Sequence, residues 1–85
     1  MKQVTIYSKE MCPYCNMAKK LLKEKGVLEF KEIRIDLDPG ELDKMIELTG
    51  RRTVPQIYIG EVLVGGFDDL AKLNREGKLD SLLKY

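Results

Sequence analysis

Residues 4 to 22 read VTIYSKEMCPYCNMAKKLL. Along this stretch the apolar residues first recur at every second position and later at every third or fourth position. Val4 to Tyr7 are β-branched and aromatic with a period of two, which predicts a strand that ends in a polar loop at Ser8. From Cys15 onward the apolar residues recur at helical spacing, at Ala18, Leu21 and Leu22, until Gly26 supplies a stop. The stretch is therefore predicted to be strand, loop and helix, with both cysteines of the chain at the loop-to-helix junction.

Cys12 and Cys15 stand where that predicted helix begins. Pro13 suits the first helical position, because its missing N–H and fixed φ cost nothing there, and this places Cys12 at or beside the N-cap. A sulfur at that position faces unpaired backbone N–H groups and the positive end of the helix dipole. Such surroundings favour thiolate and can lower a cysteine pKa from ~8.5 to roughly 3.5–7.5. Cys15 lies deeper and should keep a higher pKa, so we expect an attacking Cys12 and a resolving Cys15. Three lysines are candidates to add positive charge near the sulfur if they fold back toward it: Lys9, Lys19 and Lys20.

The rest of the chain continues the alternation of strands and helices. Residues 29–36, EFKEIRID, predict a second strand whose one face carries Ile33, Ile35 and Leu37. The DPGE segment that follows is a turn or helix entry. A second helix is predicted from apolar residues at i, i+3, i+4 and i+7, and it ends at Gly50. These residues are Leu42, Met45, Ile46 and Thr49.

A hairpin and a last helix complete the predicted order of elements. QIYI and VLV are separated by Gly60 and Glu61, a two-residue connection that suits an antiparallel hairpin. Gly65 and Gly66 close the sheet, and the aspartates that follow open a helix carrying Leu70 and Leu73. The order βαβαββα predicts a parallel first pair of strands with a right-handed crossover, and the hairpin adds antiparallel strands to the same sheet.

The composition restricts the class of protein. The chain has 85 residues, 44% hydrophobic and 34% charged, which suffices for one modest core, so we expect a single domain over residues 1–85. A net charge of +1 gives no electrostatic case for nucleic acid or an anionic membrane as a partner. No apolar run approaches the roughly 20 residues of a membrane span, and the first residues lack the pattern of a signal peptide. We expect a monomer in the cytosol.

Cysteine usage leaves three kinds of site to consider: a metal site, a structural disulfide and a redox couple. In a reducing compartment a closely spaced pair is more often catalytic or metal-binding than a permanent disulfide. Because the chain contains no histidine, a closed zinc site would need two chains or carboxylate ligands. The sequence therefore favours a redox couple and predicts no metal ligand.

Three separated segments resemble the signature segments of glutaredoxins, in particular the small bacterial dithiol kind. They are CPYC, TVPQIYI at Thr53 to Ile59 and VGGFDDL at Val64 to Leu70, and they occur in order along nearly the whole chain. The resemblance implies an α/β thioredoxin-like fold, with a four-stranded mixed sheet flanked by three helices. It also implies reduction of protein disulfides and glutathione mixed disulfides, with glutathione as cosubstrate and no permanently bound cofactor. Phe67 departs from the many relatives that carry a cysteine or another small polar residue there.

The same resemblance implies a glutathione site built from these segments. Read by itself, Pro55 is an ordinary strand-start proline, whereas the resemblance implies a cis Val54–Pro55 peptide whose Val54 backbone pairs with an extended peptide substrate. Read by themselves, the residues of GGFDD form a turn with an Asp N-cap, whereas the resemblance adds a glutathione carboxylate and ammonium at the helix N-terminus. The implied site residues are Lys9, Tyr14, Arg51, Thr53, Val54, Pro55, Gln56, Gly66, Phe67, Asp68 and Asp69.

Within that set, Asp68 or Asp69 is expected to take the ammonium of the γ-glutamyl end of glutathione. The glycyl carboxylate at the other end has three candidates, Lys9, Arg51 and Gln56. Tyr14 is either a half-exposed aromatic or a contact to the sulfur or to glutathione. The two methionines beside the motif, Met11 and Met17, are expected to be core or rim contacts.

Two other functions use the same cysteines. A thioredoxin-type redoxin would take electrons from a flavoprotein reductase and bind no glutathione, so the residues that hold the carboxylates would be idle. A noncatalytic module would use Cys12 and glutathione to hold an iron–sulfur cluster between two subunits. Pro13 and Tyr14 resemble the dithiol enzymes rather than the cluster-carrying relatives.

Overall fold

The computed structural model describes residues 1–84. Four strands and four helices follow the predicted order, with one short helix added at the end. The elements are β1 (Val4–Ser8), α1 (Pro13–Glu24), β2 (Lys31–Arg34), α2 (Pro39–Thr49), β3 (Gln56–Ile59), β4 (Val62–Gly65), α3 (Phe67–Arg75) and α4 (Leu79–Leu83).

The four strands form one mixed sheet in the order β2-β1-β3-β4. β1 runs parallel to β2, with Thr5 opposite Lys31, and antiparallel to β3, with Val4 opposite Ile59. β3 and β4 form the predicted antiparallel hairpin. This arrangement confirms the predicted thioredoxin-like α/β fold, and it places β1 in the interior of the sheet.

The second strand is shorter than the sequence predicted. β2 ends at Arg34, and residues 35–37 form a turn in which Leu37 is 73% exposed. The prediction that Ile35 and Leu37 extend the strand is wrong because β2 pairs only with β1, and β1 ends at Ser8 opposite Arg34. The last ladder contact is the Ile35 N–H, which donates to the Ser8 carbonyl at 3.0 Å.

The core lies between the sheet and the helices that cover it. β1 is buried at four of its five positions, which lie on both of its faces, so both faces of the sheet are covered at this strand. α4 was not predicted, and it covers the core with Leu79 and Leu83, one helical turn apart and both buried. The core residues are Val4, Ile6, Ala18, Leu22, Val27, Ile57, Ile59, Leu70, Leu79 and Leu83.

The second helix ends at Gly50 as its sequence predicted, and the DPGE segment proves to be its entry. Asp38 is its N-cap and accepts a hydrogen bond from the Gly40 N–H at 2.9 Å. Gly50 ends it in the left-handed conformation at φ 73°, where glycine is favoured because it has no Cβ. Within residues 1–84, none of these helices is both long enough and apolar enough to cross a membrane.

Candidate active site

Cys12 is the N-cap of α1, as predicted, and Pro13 occupies the first helical position. The backbone at Cys12 is extended, with φ −115° and ψ 96°, which turns its side chain back over the first turn of the helix. There the Cys12 sulfur accepts a hydrogen bond from the Cys15 N–H at 3.2 Å. The sulfur therefore receives one of the unpaired donors at the helix N-terminus, the interaction that stabilises a thiolate.

Cys15 lies one turn into α1 and is joined to Cys12 in a disulfide. The two Cα atoms are 5.2 Å apart, within the usual range for such a bond. Cys12 is 6% exposed and Cys15 only 1% exposed, so an incoming disulfide meets Cys12 first. This difference in exposure matches the predicted roles of attacking and resolving thiol.

The loop before β3 lies against the cysteines. The Val54–Pro55 peptide is cis. The Val54 carbonyl oxygen is 3.9 Å from the Cys12 sulfur, although the two residues are far apart in the chain. The residues of this loop therefore border the sulfur that would react.

The segment after β4 supplies a helix N-terminus beside that loop. The N-cap of α3 is Gly66, and its N–H donates to the Asp69 carboxylate at 3.0 Å. The prediction of an Asp N-cap is wrong, because both aspartates lie inside the first turn and Asp69 reaches back to the cap. Gly66 and Pro55 approach closely, since a Cβ on Gly66 would lie 3.5 Å from the Pro55 carbonyl oxygen. The two loops thus form adjacent walls.

These walls enclose an open groove of about 370 Å³ next to the cysteines. Every residue of the predicted glutathione set except Lys9 lines it, although the set comes from three distant parts of the chain. Larger cavities exist elsewhere, including one of about 640 Å³ between β4 and the last two helices, so size alone does not mark the site. The groove is lined by Tyr14, Arg51, Thr53, Val54, Pro55, Gln56, Gly66, Phe67, Asp68 and Asp69.

Two of the charged side chains that line the groove form a salt bridge with each other. Arg51 Nη1 lies 3.3 Å from Asp69 Oδ2, so the carboxylate that caps α3 also holds this guanidinium. Asp68 is exposed, and within residues 1–84 it takes part in no salt bridge or side-chain hydrogen bond. Of the two aspartates, Asp68 is therefore the one available to a ligand ammonium. Lys9 is exposed in the loop before Cys12, outside the residues that line the groove.

Gln56 lines the groove, but its side-chain amide is not a free donor to a ligand. Gln56 is only 1% exposed. Its Nε2 donates to the Thr53 carbonyl at 3.0 Å and also lies 3.3 Å from Thr53 Oγ1. The Oε1 atom has no hydrogen-bond partner among residues 1–84. Gln56 thus holds the start of the Thr53 to Pro55 loop in place.

Tyr14 and Phe67 form an aromatic pair at the edge of the groove. Their ring centroids are 6.2 Å apart with 30° between the ring planes, within the range of favourable aromatic contacts. Tyr14 is 59% exposed, so much of its ring faces solvent. Phe67, the residue that departs from the family pattern, therefore serves as the packing partner of the motif tyrosine. Both methionines beside the motif lie at the rim, with Met11 90% and Met17 46% exposed.

One of the three lysines proposed for the sulfur is engaged elsewhere. Lys19 forms an ion pair with Glu32 of β2, which also accepts a hydrogen bond from the Ser8 hydroxyl at 2.5 Å. Burial raises the pKa of Glu32, but the hydrogen bonds from Lys19 and Ser8 outweigh it and lower that pKa below its ordinary value. Lys20 lies on the exposed face of α1, so neither lysine supports the prediction of a cation folded back onto Cys12.

The loop that carries Cys12 is anchored by a contact that the sequence did not indicate. The Glu10 N–H donates to the Asp36 carboxylate at 3.3 Å, in the turn after β2. Arg34 donates two hydrogen bonds to the same carboxylate and lowers the pKa of Asp36 from 3.8 to about 2. Met11, immediately before the N-cap, adopts a φ of 53°. These contacts hold the turn into α1 from outside the motif, 26 residues away in sequence.

Comparison with known proteins matches residues 4–64 to the family described as Glutaredoxin. A curated relative, the glutaredoxin of Neisseria meningitidis serogroup A, is 53% identical over 83 residues and covers 98% of each chain. A solution structure of glutaredoxin from Brucella melitensis is 55% identical, with a TM-score of 0.85, and the alignment covers 99% of this chain and 90% of that one. A crystal structure of a buckwheat glutaredoxin–glutathione complex is 33% identical, with a TM-score of 0.86 over 96% of this chain and 76% of that one.

Proposed function

The chain belongs to the glutaredoxin family and is a thiol–disulfide oxidoreductase, and we propose that it uses glutathione to reduce protein disulfides and glutathione mixed disulfides. The observation that carries the proposal is the groove beside Cys12, into which three distant segments bring the expected ligand-binding residues. The buckwheat neighbour, described as a glutathione complex, supports the same ligand.

In this proposal Cys12 is the nucleophile. Its thiolate attacks the glutathione sulfur of a mixed disulfide, the bond to the substrate cysteine breaks, and the substrate leaves as a thiolate that takes up a proton. A second glutathione thiolate then attacks the Cys12 mixed disulfide, releasing oxidised glutathione and restoring the Cys12 thiolate. One free glutathione is consumed: its sulfur is oxidised as the substrate cysteine is reduced, and it leaves bonded to the glutathionyl group that the substrate carried. The Cys15 N–H that bonds the Cys12 sulfur stabilises the charge throughout.

Cys15 acts when the substrate is a disulfide within a protein. After Cys12 forms a mixed disulfide with the substrate, the Cys15 thiol loses its proton, attacks Cys12 and displaces the reduced substrate. This leaves the Cys12–Cys15 disulfide seen in the structure. Two glutathiones then reopen it. Because Cys15 is 1% exposed, it meets Cys12 and not the solvent, which suits a resolving thiol.

Glutathione would lie along the groove as an extended peptide. The Val54 backbone, whose carbonyl is 3.9 Å from the Cys12 sulfur, would pair with its main chain near the cysteine. Asp68 would take the γ-glutamyl ammonium, and the neighbouring α3 N-terminus at Gly66 would take the carboxylate of the same end. At the other end Lys9 is the exposed cation for the glycyl carboxylate, and Arg51, 55% exposed in its side chain, would serve there only by leaving Asp69. Gln56 and Thr53 would hold this loop, and Tyr14 and Phe67 would cover one side.

The remaining parts of the proposal concern the whole molecule. We propose one domain over residues 1–85 that acts as a monomer in the cytosol, where glutathione is available as the reductant. Glutathione is a cosubstrate in this proposal, and no resident metal or organic cofactor takes part in any step. The macromolecular partners are proteins with a disulfide or a glutathionylated cysteine.

The source of electrons tests the proposal directly. Reduction of a glutathione mixed disulfide should proceed with glutathione, glutathione reductase and NADPH, and NADPH oxidation measures it. Thioredoxin reductase with NADPH should give little activity. The reverse pattern would replace the proposal with the redoxin function. Charge-transfer absorption after anaerobic purification would instead indicate the iron–sulfur module.

A further inference from the structure

A second concavity lies on the far side of the Tyr14–Phe67 pair from the proposed glutathione groove. It is a surface groove of about 360 Å³ between α1 and α3, and Phe67 lines it as well as the first groove. Its apolar lining is Met17 and Leu21 from α1 with Phe67 and Ala71 from α3. One aromatic side chain thus separates the place proposed for glutathione from a neighbouring apolar groove.

The position of this groove, together with the proposed function on which the inference rests, indicates what fills it. A glutathionylated protein presents two arms to Cys12, the glutathione arm and the polypeptide arm. If glutathione occupies the groove that Val54 and Gly66 border, the polypeptide must lie over the remaining surface around the sulfur. The α1–α3 groove is the concavity that adjoins this surface, because it shares the Phe67 wall.

The charges around the groove favour one kind of polypeptide. Its rim carries Lys20, Glu24 and Arg75. Within residues 1–84 neither Lys20 nor Arg75 forms a salt bridge, whereas Lys19 of α1 is paired with Glu32, and Lys25, the C-cap of α1, is paired with Asp80. Two uncommitted cations against one carboxylate give the rim a net positive charge.

We propose that the groove between α1 and α3 is the docking site for the polypeptide of a glutathionylated substrate, and that it takes an apolar side chain near the substrate cysteine with an acidic residue beside it. The apolar side chain packs against Met17, Phe67 and Ala71, and the acidic side chain lies near Lys20 and Arg75. Glutathione contacts only the opposite side of the Phe67 wall that the two grooves share.

Three mixed disulfides of glutathione separate this groove from the glutathione site. The first is with 2-mercaptoethanol and has no polypeptide arm. The second is with a cysteine peptide that carries leucine and glutamate beside the cysteine, and the third is with the same peptide carrying serine and lysine there. For the wild-type protein we expect kcat/KM to be about tenfold higher for the leucine and glutamate peptide than for the serine and lysine peptide.

Two variants change the groove without removing a core residue. Met17→Gln makes the α1 wall of the groove polar, and Ala71→Met fills the groove from the α3 side. Both introduced residues, glutamine and methionine, have good helix propensity. Leu48→Gln is the control, because Leu48 is 60% exposed on α2, away from the groove. Both groove variants should reduce the tenfold preference to threefold or less, while the mercaptoethanol disulfide is turned over as by the wild type. The control should preserve the preference, and urea unfolding checks that all three variants are folded.

Each outcome bears on one of the two proposals. Equal kcat/KM for the two peptides with the wild type, or an unchanged preference in both groove variants, would overturn the docking site and leave glutathione use intact. No turnover of the mercaptoethanol disulfide by the wild type would overturn the proposed function, and the docking site with it. Loss of the preference in both groove variants but not in Leu48→Gln would support the site.

Discussion

Replacing Gly65 with alanine tests whether the α3 N-terminus is held as the structure indicates. Gly65 ends β4 with a φ of 112°, a backbone conformation that side chains with a Cβ rarely adopt. A Cβ there would lie 3.0 Å from the Asp69 carboxylate carbon and 3.2 Å from Arg51 Nη1. Because Asp69 also accepts the Gly66 N–H bond, the added methyl group must displace the side chain that caps α3. Gly65→Ala should therefore lose stability through both the backbone and the cap.

The magnitude follows from these two contributions. A positive φ costs an alanine roughly 1–2 kcal/mol, and the loss of a helix cap costs roughly 0.5–2 kcal/mol. We expect Gly65→Ala to lower the free energy of unfolding by about 3 kcal/mol. Gly50→Ala is the matched control, because Gly50 has a φ of 73° and a Cβ there would meet no atom of residues 1–84 within 4 Å. Only the backbone contribution applies, so that variant should lose about 1 kcal/mol.

Urea unfolding followed by circular dichroism measures both variants. A difference of about 2 kcal/mol between them corresponds to a difference in Tm of roughly 8–16 °C for a domain of this size. In an Asp69→Ala background the carboxylate is gone, so Gly65→Ala should then cost about as much as Gly50→Ala. Equal losses for the two glycine variants in the otherwise unchanged chain would refute the close approach of Asp69 to Gly65.

Four other outcomes follow from the site and its surroundings. The Cys12 thiol of the reduced protein should titrate well below ~8.5, as measured by thiolate absorbance and alkylation rate against pH, and a midpoint at or above that value contradicts an activated nucleophile. Cys15→Ser should keep glutathione mixed-disulfide reduction, lose much of the reduction of protein disulfides and accumulate a glutathione adduct visible by mass, whereas equal loss of both activities would mean a different role. Asp68→Ala should weaken glutathione use by about tenfold, judged from steady-state rates against glutathione concentration, and an unchanged dependence removes Asp68 from the site. The pKa of Glu32 is lowered in the folded protein from 4.5, so its contribution to stability is present above that pH and is lost as the pH falls through the folded value. Glu32→Gln should therefore reduce the free energy of unfolding at pH 7 and cease to do so in acid, and a pH-independent loss would show that its charge is not the cause.

Local patterns predicted the parts of the fold whose causes are local. The period-two run of β1, the Pro13 start of α1 and the Gly50 stop of α2 depend on residues a few positions apart, and all three were confirmed. The end of β2 depends instead on where a different strand stops. EFKEIRID alternates beyond Arg34, but a strand needs a partner, and Ser8 is the last one that β1 provides.

In the candidate site, too, features with a local cause were predictable and features that depend on distant residues were not. The helix N-terminus under Cys12 was predictable because its signals are close together in sequence: Pro13 suits the first helical position, and the helical spacing of apolar residues begins at Cys15. Two contacts near the site were not predictable. The hydrogen bond from the Glu10 N–H to Asp36 and the ion pair between Lys19 and Glu32 join residues that only the folded sheet brings together, so no local sequence pattern indicates them. The two adjacent aspartates could not be distinguished in sequence. Their difference arises because one of them turns back to the Gly66 N–H, which leaves Asp68 exposed.

The interior position of β1 has a consequence for the order in which the protein forms during synthesis. The first strand to leave the ribosome has two edges to fill, one by β2, which ends at Arg34, and one by β3, which ends at Ile59. About 25 residues separate these two points, so at ~5–20 residues per second the nascent chain carries a half-paired β1 for roughly 1–5 s. During most of that interval Cys12 and Cys15 have been made but neither Val54 nor Gly66 has. Until the second half of the sheet has been made, the two thiols of the nascent chain can therefore react with disulfides that the finished groove would not select.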